Sequence, residues 1–187
     1  MKSKMKKISL VIAFLFGAFV MIYAQTKKIN VEKSTVNWKA YKVLGGHEGT
    51  VKIKEGGLTF KGSKLIAGSV SVDLNTISAT DEEGEMKAKL DSHLKGDDFF
   101  DVAKFPKVSF VFKSVKAKSK GIYTITADAT IKGVTKPVTF DLKVNKNKAT
   151  SSLKIDRSLF GLTYGSDLSL GNKMIKNEFD LNVVLVY

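Results

Sequence analysis

The stretch from Gly121 to Ile131 reads GIYTITADATI, and it decides the fold class. From position 123 onward the odd-numbered residues are apolar, and threonine or aspartate stands at every even position between them. Strict alternation of this kind is typical of a β-strand that buries one face, because successive side chains of a strand point to opposite sides. The stretch therefore predicts a half-buried strand.

The same period of two recurs along the chain. It is clearest at 69–75, 138–144, 152–155 and 179–187, and it extends to 36–43, 47–53 and 107–115. Turn residues such as Lys132-Gly133 and Asn145-Lys146-Asn147 separate several of these runs. About eight strands at hairpin spacing predict an all-β domain, either an antiparallel barrel or a sandwich.

One stretch departs from this period. Thr80 to Glu83 fits a capping box, in which the first side chain and the last satisfy each other's backbone N–H groups. Apolar residues then recur at every fourth position from Met86, which predicts one stripe on a short helix. Two adjacent phenylalanines follow among acidic residues. We expect this helix and loop to close one end of the fold. The predicted plug consists of Leu90, Leu94, Phe99 and Phe100.

The N-terminal residues have the composition of a targeting segment. The chain has 187 residues, no cysteine and a formal net charge of +13. Residues 1–24 hold four lysines, no acidic residue and the uncharged run from Ile8 to Ile22, and they end on the small residue Ala24. A basic start followed by a short apolar run is typical of a cleaved secretory signal. We therefore expect export, to the periplasm or as a secreted protein, and one mature domain over residues 25–187.

The residue types argue against catalysis. Without cysteine there is no disulfide framework, thiol nucleophile or thiolate metal site. Only two histidines are present, and the adjacent carboxylates Glu82-Glu83 and Asp97-Asp98 are expected to be solvated. No phosphate-cradling glycine loop and no nucleophile elbow occurs in the sequence. The sequence predicts neither an enzyme nor a metal site.

The basic residues do not resemble those of a nucleic-acid binder. After removal of residues 1–24 the chain keeps 27 basic and 18 acidic residues, a net charge of +9. Thirty of the 31 basic residues of the whole chain are lysine, and Arg157 is the single arginine. Bases and phosphates are read bidentately by the planar arginine fork. We expect no nucleic-acid partner, and an approach to an anionic membrane surface as the use of the positive charge.

Alternation places two polar residues on the apolar face near strand ends, His47 in the run 47–53 and Arg157 after the run 152–155. A buried guanidinium is costly unless it is paired. Arg157 therefore either bonds a carboxylate or loop carbonyls, or it faces the polar head of a ligand, with His47 as a second candidate. Trp38 shares the apolar parity of its own strand and is expected in the wall.

Alternation alone leaves open which parity faces inward. An outer-membrane barrel turns its apolar side chains toward lipid, whereas a soluble lipocalin-like barrel turns them inward. The mature chain has one tryptophan and four tyrosines, which is too few for two aromatic girdles. Lysines on the polar parity, such as Lys52 and Lys143, would crowd a narrow lumen. These features favour the soluble barrel.

Several segments, in this order, resemble the YceI-like, polyisoprenoid-binding family from about Ile29 to Tyr187. They are Trp38 with His47-x-Gly49, Ser69 to Ile77, Leu90-x-x-His93-Leu94-Lys95-x-x-Asp98-Phe99-Phe100-Asp101, Phe105-Pro106-x-Val108-x-Phe110-x-Phe112-Lys113-Ser114, Ala129 to Val138, and Ile155-Asp156-Arg157-Ser158-x-Phe160-Gly161-Leu162. The resemblance implies an extended, eight-stranded, lipocalin-like antiparallel β-barrel with a long apolar tunnel. It also implies an exported protein that binds isoprenoid chains such as polyprenyl phosphates or quinones.

Parity and resemblance together define the expected site. The predicted tunnel residues are Trp38, Val70, Val72, Leu74, Phe110, Phe112, Phe140, Leu142, Leu153, Ile155, Phe179, Leu181 and Val183. We expect a carrier for an amphiphilic isoprenoid or similar long-chain lipid, with no cofactor other than such a bound lipid. The alternative is a non-catalytic envelope stress or structural module whose barrel interior is packed. A homodimer is left open.

Overall fold

The computed structural model describes residues 23–166 and 174–187. The predicted signal segment therefore lies outside the described residues except for its last two, and Ala24 already begins the first strand. The strands are β1 (Ala24–Lys28), β2 (Thr35–Lys42), β3 (Gly46–Lys61), β4 (Lys64–Ala79), β5 (Lys107–Ser119), β6 (Ile122–Ile131), β7 (Val134–Asn145), β8 (Lys148–Asp156) and β9 (Ile175–Val186). Helix α1 (Gly84–Lys95) follows β4, and a 3₁₀ helix (Arg157–Phe160) follows β8.

Strands β2 to β9 form a closed barrel. Each pairs antiparallel with its neighbour in sequence, and β2 pairs with β9 to complete the ring. This confirms the predicted all-β, antiparallel, eight-stranded fold. The ninth strand, β1, lies beside the far half of β3, where Ala24 faces Lys61 and Lys28 faces Gly57. β3 is twice as long as β2, so β1 covers an edge that β2 leaves unpaired.

The two ends of the barrel differ. The hairpin turns β3–β4, β5–β6 and β7–β8 lie at one end together with the chain's last residue, Tyr187, and we call this the closed end. Helix α1, the turn between β2 and β3, and the segment after β8 lie at the other end, which we call the open end. Glycines with positive φ, such as Gly121 and Gly133, allow turns at both ends.

The apolar parity faces inward. In β6 the side chains of Ile125, Ala127 and Ala129 are fully buried, while Thr126 and Asp128 between them are half-buried. The barrel therefore turns its apolar side chains inward, which is the lipocalin-like arrangement that the lysine positions favoured. Among residues 23–166 and 174–187, no helix is long and apolar enough to cross a membrane.

The closed end is filled by packed side chains. The Phe60 and Tyr187 rings lie 5.5 Å apart, and Leu58 and Leu65 beside them are fully buried. β4 and β5 stop pairing beyond Ser69 and Val111, which leaves the Leu65 N–H without a strand partner. The Tyr123 hydroxyl, on β6 two strands away, accepts that N–H at 3.3 Å. Aromatic and aliphatic side chains thus close this end, and the buried Tyr187 hydroxyl has no hydrogen-bond partner among the described residues.

The wall also contains a seam. β7 and β8 pair only beside their turn, where Lys143 faces Thr150 and Asn145 faces Lys148. Residues 134–142 and 151–156 then run apart, and we call this stretch the seam. The Ser151 hydroxyl donates to the Asp141 carbonyl at 2.8 Å and replaces one lost ladder bond. The seam is a place where the wall can widen without breaking strand pairing.

Gly49 provides a test of wall packing because it faces Trp38 across β2 and β3. A Cβ at this position would lie 2.1 Å from the Ser78 carbonyl oxygen and 2.5 Å from the indole ring. We expect Gly49→Ala to lower the free energy of unfolding by about 3 kcal/mol, measured by urea denaturation. Trp38 is the single tryptophan, so its fluorescence should shift as well.

The matched control is Gly45→Ala, where no atom lies within 4 Å and the cost comes only from φ of +79°. Its expected loss is about 1 kcal/mol, with unchanged tryptophan emission. A Gly49→Ala protein as stable as the Gly45→Ala protein would contradict the close approach of Trp38.

Candidate functional site

The barrel encloses an apolar cavity of about 130 Å³, lined by side chains from every strand from β2 to β9. The predicted tunnel residues that line it are Trp38, Val70, Val72, Leu74, Phe110, Phe112, Phe140, Leu142, Leu153, Phe179, Leu181 and Val183. Ile155 is fully buried but is not part of the cavity wall. The structure thus brings the predicted set together around one space, and contact with a ligand stays a prediction.

Sequence reasoning missed other wall residues. They are Val36, Ala40, Val51, Ile77, Val108, Ile131, Ser151, Leu162, Ile175, Lys176 and Leu185. Most share the parity of a neighbour that was predicted, so extending each run to its full length would have found them. Leu162 and Lys176 lie outside any alternating run, and the sequence offers no signal for them.

Helix α1 and the loop after it cover the open end. Leu94, Phe99 and Phe100 are buried and line the cavity, and the two phenylalanine rings meet edge to face at 5.0 Å. Leu90 packs half-buried against the core without reaching the cavity wall. Three of the four predicted plug residues therefore form its inner surface.

Two details of the predicted helix are wrong. The N-cap is Glu83, without a side-chain cap hydrogen bond, and the helix begins at Gly84. Thr80 lies four residues before the helix start, and its N–H donates to the Glu48 carbonyl at 2.9 Å, which extends the β3–β4 pairing and leaves no N–H for a capping box. Met86 is 60% exposed, so the apolar stripe does not include it. Tertiary pairing overrides the local capping signal.

Asp91 holds the helix against the barrel. Its carboxylate accepts from the Ala79 N–H at 2.7 Å, the Ser78 hydroxyl at 2.8 Å and the Lys87 ammonium at 2.9 Å. Partial burial by itself raises the pKa of Asp91, but these hydrogen bonds outweigh it and keep the pKa below its ordinary value. Asp91 was not among the predicted site residues, because its role depends on where β4 ends.

Arg157 lies at the cavity wall and is only 2% exposed. Its Nε–H donates to the Lys176 carbonyl at 3.1 Å, Nη1 to the Leu162 carbonyl, and Nη2 to the Ile175 carbonyl and the Ser166 hydroxyl, both at 2.9 Å. Of its five N–H donors, four are therefore used by the protein. Burial lowers the pKa of Arg157, and the negative charge of Asp156 partly offsets this. Arg157 thus joins the segment after β8 to the start of β9.

His47 does not reach the cavity. Its Nδ1 lies 3.1 Å from an Asp81 oxygen and 3.6 Å from a Glu82 oxygen, while Nε2 lies 2.8 Å from the Lys42 ammonium. The parity assignment is right, but the linker between β4 and α1 crosses the barrel at this height. The imidazole and the two carboxylates are close enough to hold a cation. The lysine, however, requires Nε2 as acceptor, so the Nδ1–H donates to Asp81 and the network is satisfied.

His93 is a further polar group at the open end. Its ring lies 4.4 Å from the Tyr164 ring and 5.7 Å from the Phe99 ring. Nδ1 lies 3.4 Å from an Asp98 oxygen, while Nε2 is buried and has no hydrogen-bond partner among the described residues. The family-like motif contains His93, but no role was predicted for it.

Comparison with known proteins is consistent with this geometry. Residues 28–187 match the YceI-like domain family, which is nearly the whole described chain. The chain belongs to the YceI-like family. The predicted resemblance is therefore confirmed at the level of the family.

Relatives of this YceI-like chain include a UPF0312 protein of Pseudomonas putida strain W619, 39% identical over 97 residues, and one of Shewanella denitrificans, 42% identical over 85 residues. The first alignment spans 52% of this chain and 48% of the relative, and the second 46% and 42%. The chain thus matches about half the length of these curated relatives.

Solved structures share the fold. Burkholderia cenocepacia BcnA is 21% identical, with a TM-score of 0.66 over 85% of this chain and 99% of that one. The Campylobacter jejuni YceI protein is 18% identical, with a TM-score of 0.54 over 97% and 86%. At these identities the likeness shows the fold alone.

The Asp91 anchor makes stability depend on pH. A carboxylate with a depressed folded-state pKa contributes stability that is complete above its unfolded value of about 3.9 and is lost as the pH falls through the folded value. We expect Asp91→Asn to lower the free energy of unfolding by about 1–3 kcal/mol at pH 7. The difference from the parent should shrink below about pH 4.

Denaturant unfolding between pH 3 and pH 7 measures both effects. Asp97→Asn removes the same charge at an exposed position in the loop after α1, and it should leave the unfolding free energy nearly unchanged. Equal effects of the two substitutions would show that the Asp91 contacts do not hold the helix.

Proposed function

We propose that this YceI-like chain is an exported carrier that holds the apolar chain of an amphiphilic isoprenoid, or a similar long-chain lipid, inside its barrel. The enclosed apolar cavity is the observation that carries the proposal. An interior lined on all sides by aliphatic and aromatic groups gains about 0.8 kcal/mol for each CH₂ that it removes from water. The net gain is smaller because the lipid and the side chains lose freedom on binding.

The size of the cavity limits what it holds in this conformation. An apolar cavity of roughly 150 Å³ accepts benzene, so 130 Å³ matches about one five-carbon isoprene unit. A chain of several units therefore requires the interior to widen. Continuing the β7–β8 register across the seam would set Phe140 opposite Leu153, and both side chains are half-buried and line the cavity. The seam is the place we propose for this widening.

The charge at the open end supports an anionic head group. Arg157 is bonded to three carbonyls and a hydroxyl, and none of these groups cancels its positive charge. Within residues 23–166 and 174–187, one Nη1–H has no partner and is left for a ligand, and Lys176 lines the same cavity. A cation next to an apolar space favours a lipid whose polar end is negative. His47 is engaged outside the cavity, so we no longer include it in this role.

One observation favours the alternative, a structural envelope module. The closed half of the barrel is filled by Leu58, Phe60 and Tyr187, and the remaining space is small for a long lipid. A barrel whose interior never opens would be such a module. The two functions differ in whether lipid enters.

Lipid content is measured by mass spectrometry of an organic extract of the purified protein, followed by uptake of added polyprenol. We expect a co-purifying or added isoprenoid at near one molecule per chain. Val72→Phe should reduce uptake at least tenfold, because Val72 is 8% exposed and lines the cavity. The matched control is Val111→Phe, the same change at a residue that is 49% exposed on the outer face of β5.

Repeated absence of lipid, together with no uptake of polyprenol, would overturn the carrier function and leave the structural module. Uptake reduced equally by both substitutions would locate binding elsewhere than in the cavity.

The head-group role predicts a charge-dependent loss. Arg157→Gln should weaken binding of a polyprenyl phosphate about tenfold and binding of the polyprenol of equal length less than about threefold, because the lost attraction, about 1–4 kcal/mol for two unit charges roughly 4 Å apart, acts on the phosphate alone. Arg157→Lys keeps the charge and should keep the preference for phosphate. Thermal unfolding of each variant measures the stability that is lost with the hydrogen bonds from Arg157 to the carbonyls. A folding defect is thereby distinguished from weaker lipid binding. Equal losses for the two lipids would make Arg157 a structural residue only.

A further inference from the structure

Eleven lysines with few acidic neighbours lie at the closed end of the barrel. Lysines flank each of the three hairpin turns there, and the N-terminal segment adds more; all are exposed. They are Lys61 and Lys64 at β3–β4, Lys116, Lys118 and Lys120 at β5–β6, Lys143, Lys146 and Lys148 at β7–β8, and Lys27, Lys28 and Lys33 before β2. We call this set the basic end.

Little acidic charge neutralises the basic end. The acids nearest to these turns are Glu32 and Asp141. Within the part of the chain that the structure describes, Lys118 is the one member with a carboxylate within 4 Å, at Asp141. Lys27 instead lies 5.4 Å from the centres of the Phe60 and Tyr187 rings. The remaining ammonium groups are left for an external anion.

The segment that covers the open end carries the opposite charge, although Lys42, Lys132 and Lys176 also lie at that end. Residues 80–106, which contain α1 and the aromatic plug, hold eight acidic residues and four lysines. Three of those lysines are already paired, Lys87 with Asp91, Lys89 with Glu85 and Lys104 with Asp101. The molecule is therefore electrically polarised along the barrel axis. An anionic surface would attract the basic end and repel the acidic segment 80–106.

The N-terminal connection lies on the same side as the basic end. Ala24 pairs with Lys61, so residues 1–22 join the barrel beside the β3–β4 turn. That segment contains the uncharged run from Ile8 to Ile22, whose composition is suited to a bilayer. Until the cleavage that is expected after Ala24, this segment and the basic end therefore lie on one side of the barrel; in the mature protein the lysines act alone.

We propose that the basic end docks on an anionic phospholipid surface. The open end, which α1 and the acidic loop after it cover, then points away from the bilayer. Lysines near such a surface each contribute about a fivefold factor in binding. Ammonium groups spread over three turns match mobile phosphate head groups, whereas duplex nucleic acid is read by arginine forks, and the single arginine here is buried. This docking is independent of what the cavity holds.

Vesicle co-sedimentation of the full-length chain tests the proposal. One set of vesicles contains phosphatidylcholine alone, and in the other about a third of the lipid is anionic phosphatidylglycerol. Lys64, Lys120 and Lys148, one from each turn, are changed to Gln together. The matched control changes the exposed wall lysines Lys52, Lys54 and Lys136 to Gln, with the same loss of charge. Any binding by residues 8–22 is common to all variants.

We expect the basic-end variant to lose on the order of a hundredfold in binding to the anionic vesicles, and the control variant to lose at most a few-fold. Salt should weaken the parent in the same way. Because the chain has no cysteine, a single label at Ser63→Cys or Ser92→Cys reports orientation. The label in the β3–β4 turn should be quenched by lipid-borne quencher more than the label on α1.

Three results would overturn the proposal. Equal losses of binding in the two triple variants would show that binding depends on the net charge and not on the basic end. A label on α1 closer to the lipid would reverse the orientation. Tighter, lysine-dependent retention of a DNA duplex at the same salt would make the basic end a nucleic-acid surface.

Discussion

The pairing of β2 with β9 closes the sheet on itself, and every other feature of the molecule depends on it. Once Thr35 faces Val184 and Lys42 faces Ile175, the inward parity of eight strands has no route to solvent except through the ends and the seam. Closure also removes free edges, which a sheet with strands of this length would otherwise expose. Of the edges that remain, the far half of β3 is covered by β1, whereas β7 and β8 stay unpaired along the seam.

A closed sheet has two ends, and in this barrel the two ends are covered in different ways. Short turns allow the closed end to pack to the axis with Leu58, Phe60 and Tyr187. The other rim is crossed by a helix that has few buried residues of its own and depends on polar anchors. Asp91 fixes the helix to β4, and Arg157 fixes the segment after β8 to β9. The cavity therefore lies between an end filled by apolar packing and an end covered by a helix and loop that polar contacts hold in place.

Period two in the sequence predicts the barrel wall well, because one strand's side chains obey a local rule. Phe140, Leu153 and Leu181 could be assigned to the interior from parity alone, and the structure places them around one cavity. Helix capping, and the position of a side chain along the barrel axis, depend on residues that are distant in the sequence. Thr80 extends a ladder instead of capping a helix, and His47 has the expected parity but meets the linker's acids. The seam also escapes prediction, since alternation continues in β7 and β8 where their pairing stops.

Arg157 shows how a structural and a binding role can belong to one side chain. An arginine that only braced two segments would be cheaper to bury with a carboxylate in contact, because the protein would then supply the counter-charge. Here carbonyls and a hydroxyl fix the orientation, and among the described residues no carboxylate contacts the guanidinium, although the nearby Asp156 partly balances its charge beside the apolar space. Burial lowers its pKa, and an anion in the cavity would reverse that effect by restoring the stability of the charged form. A ligand with a negative end and an apolar chain would therefore stabilise the folded barrel at the same residue that joins the segment after β8 to β9.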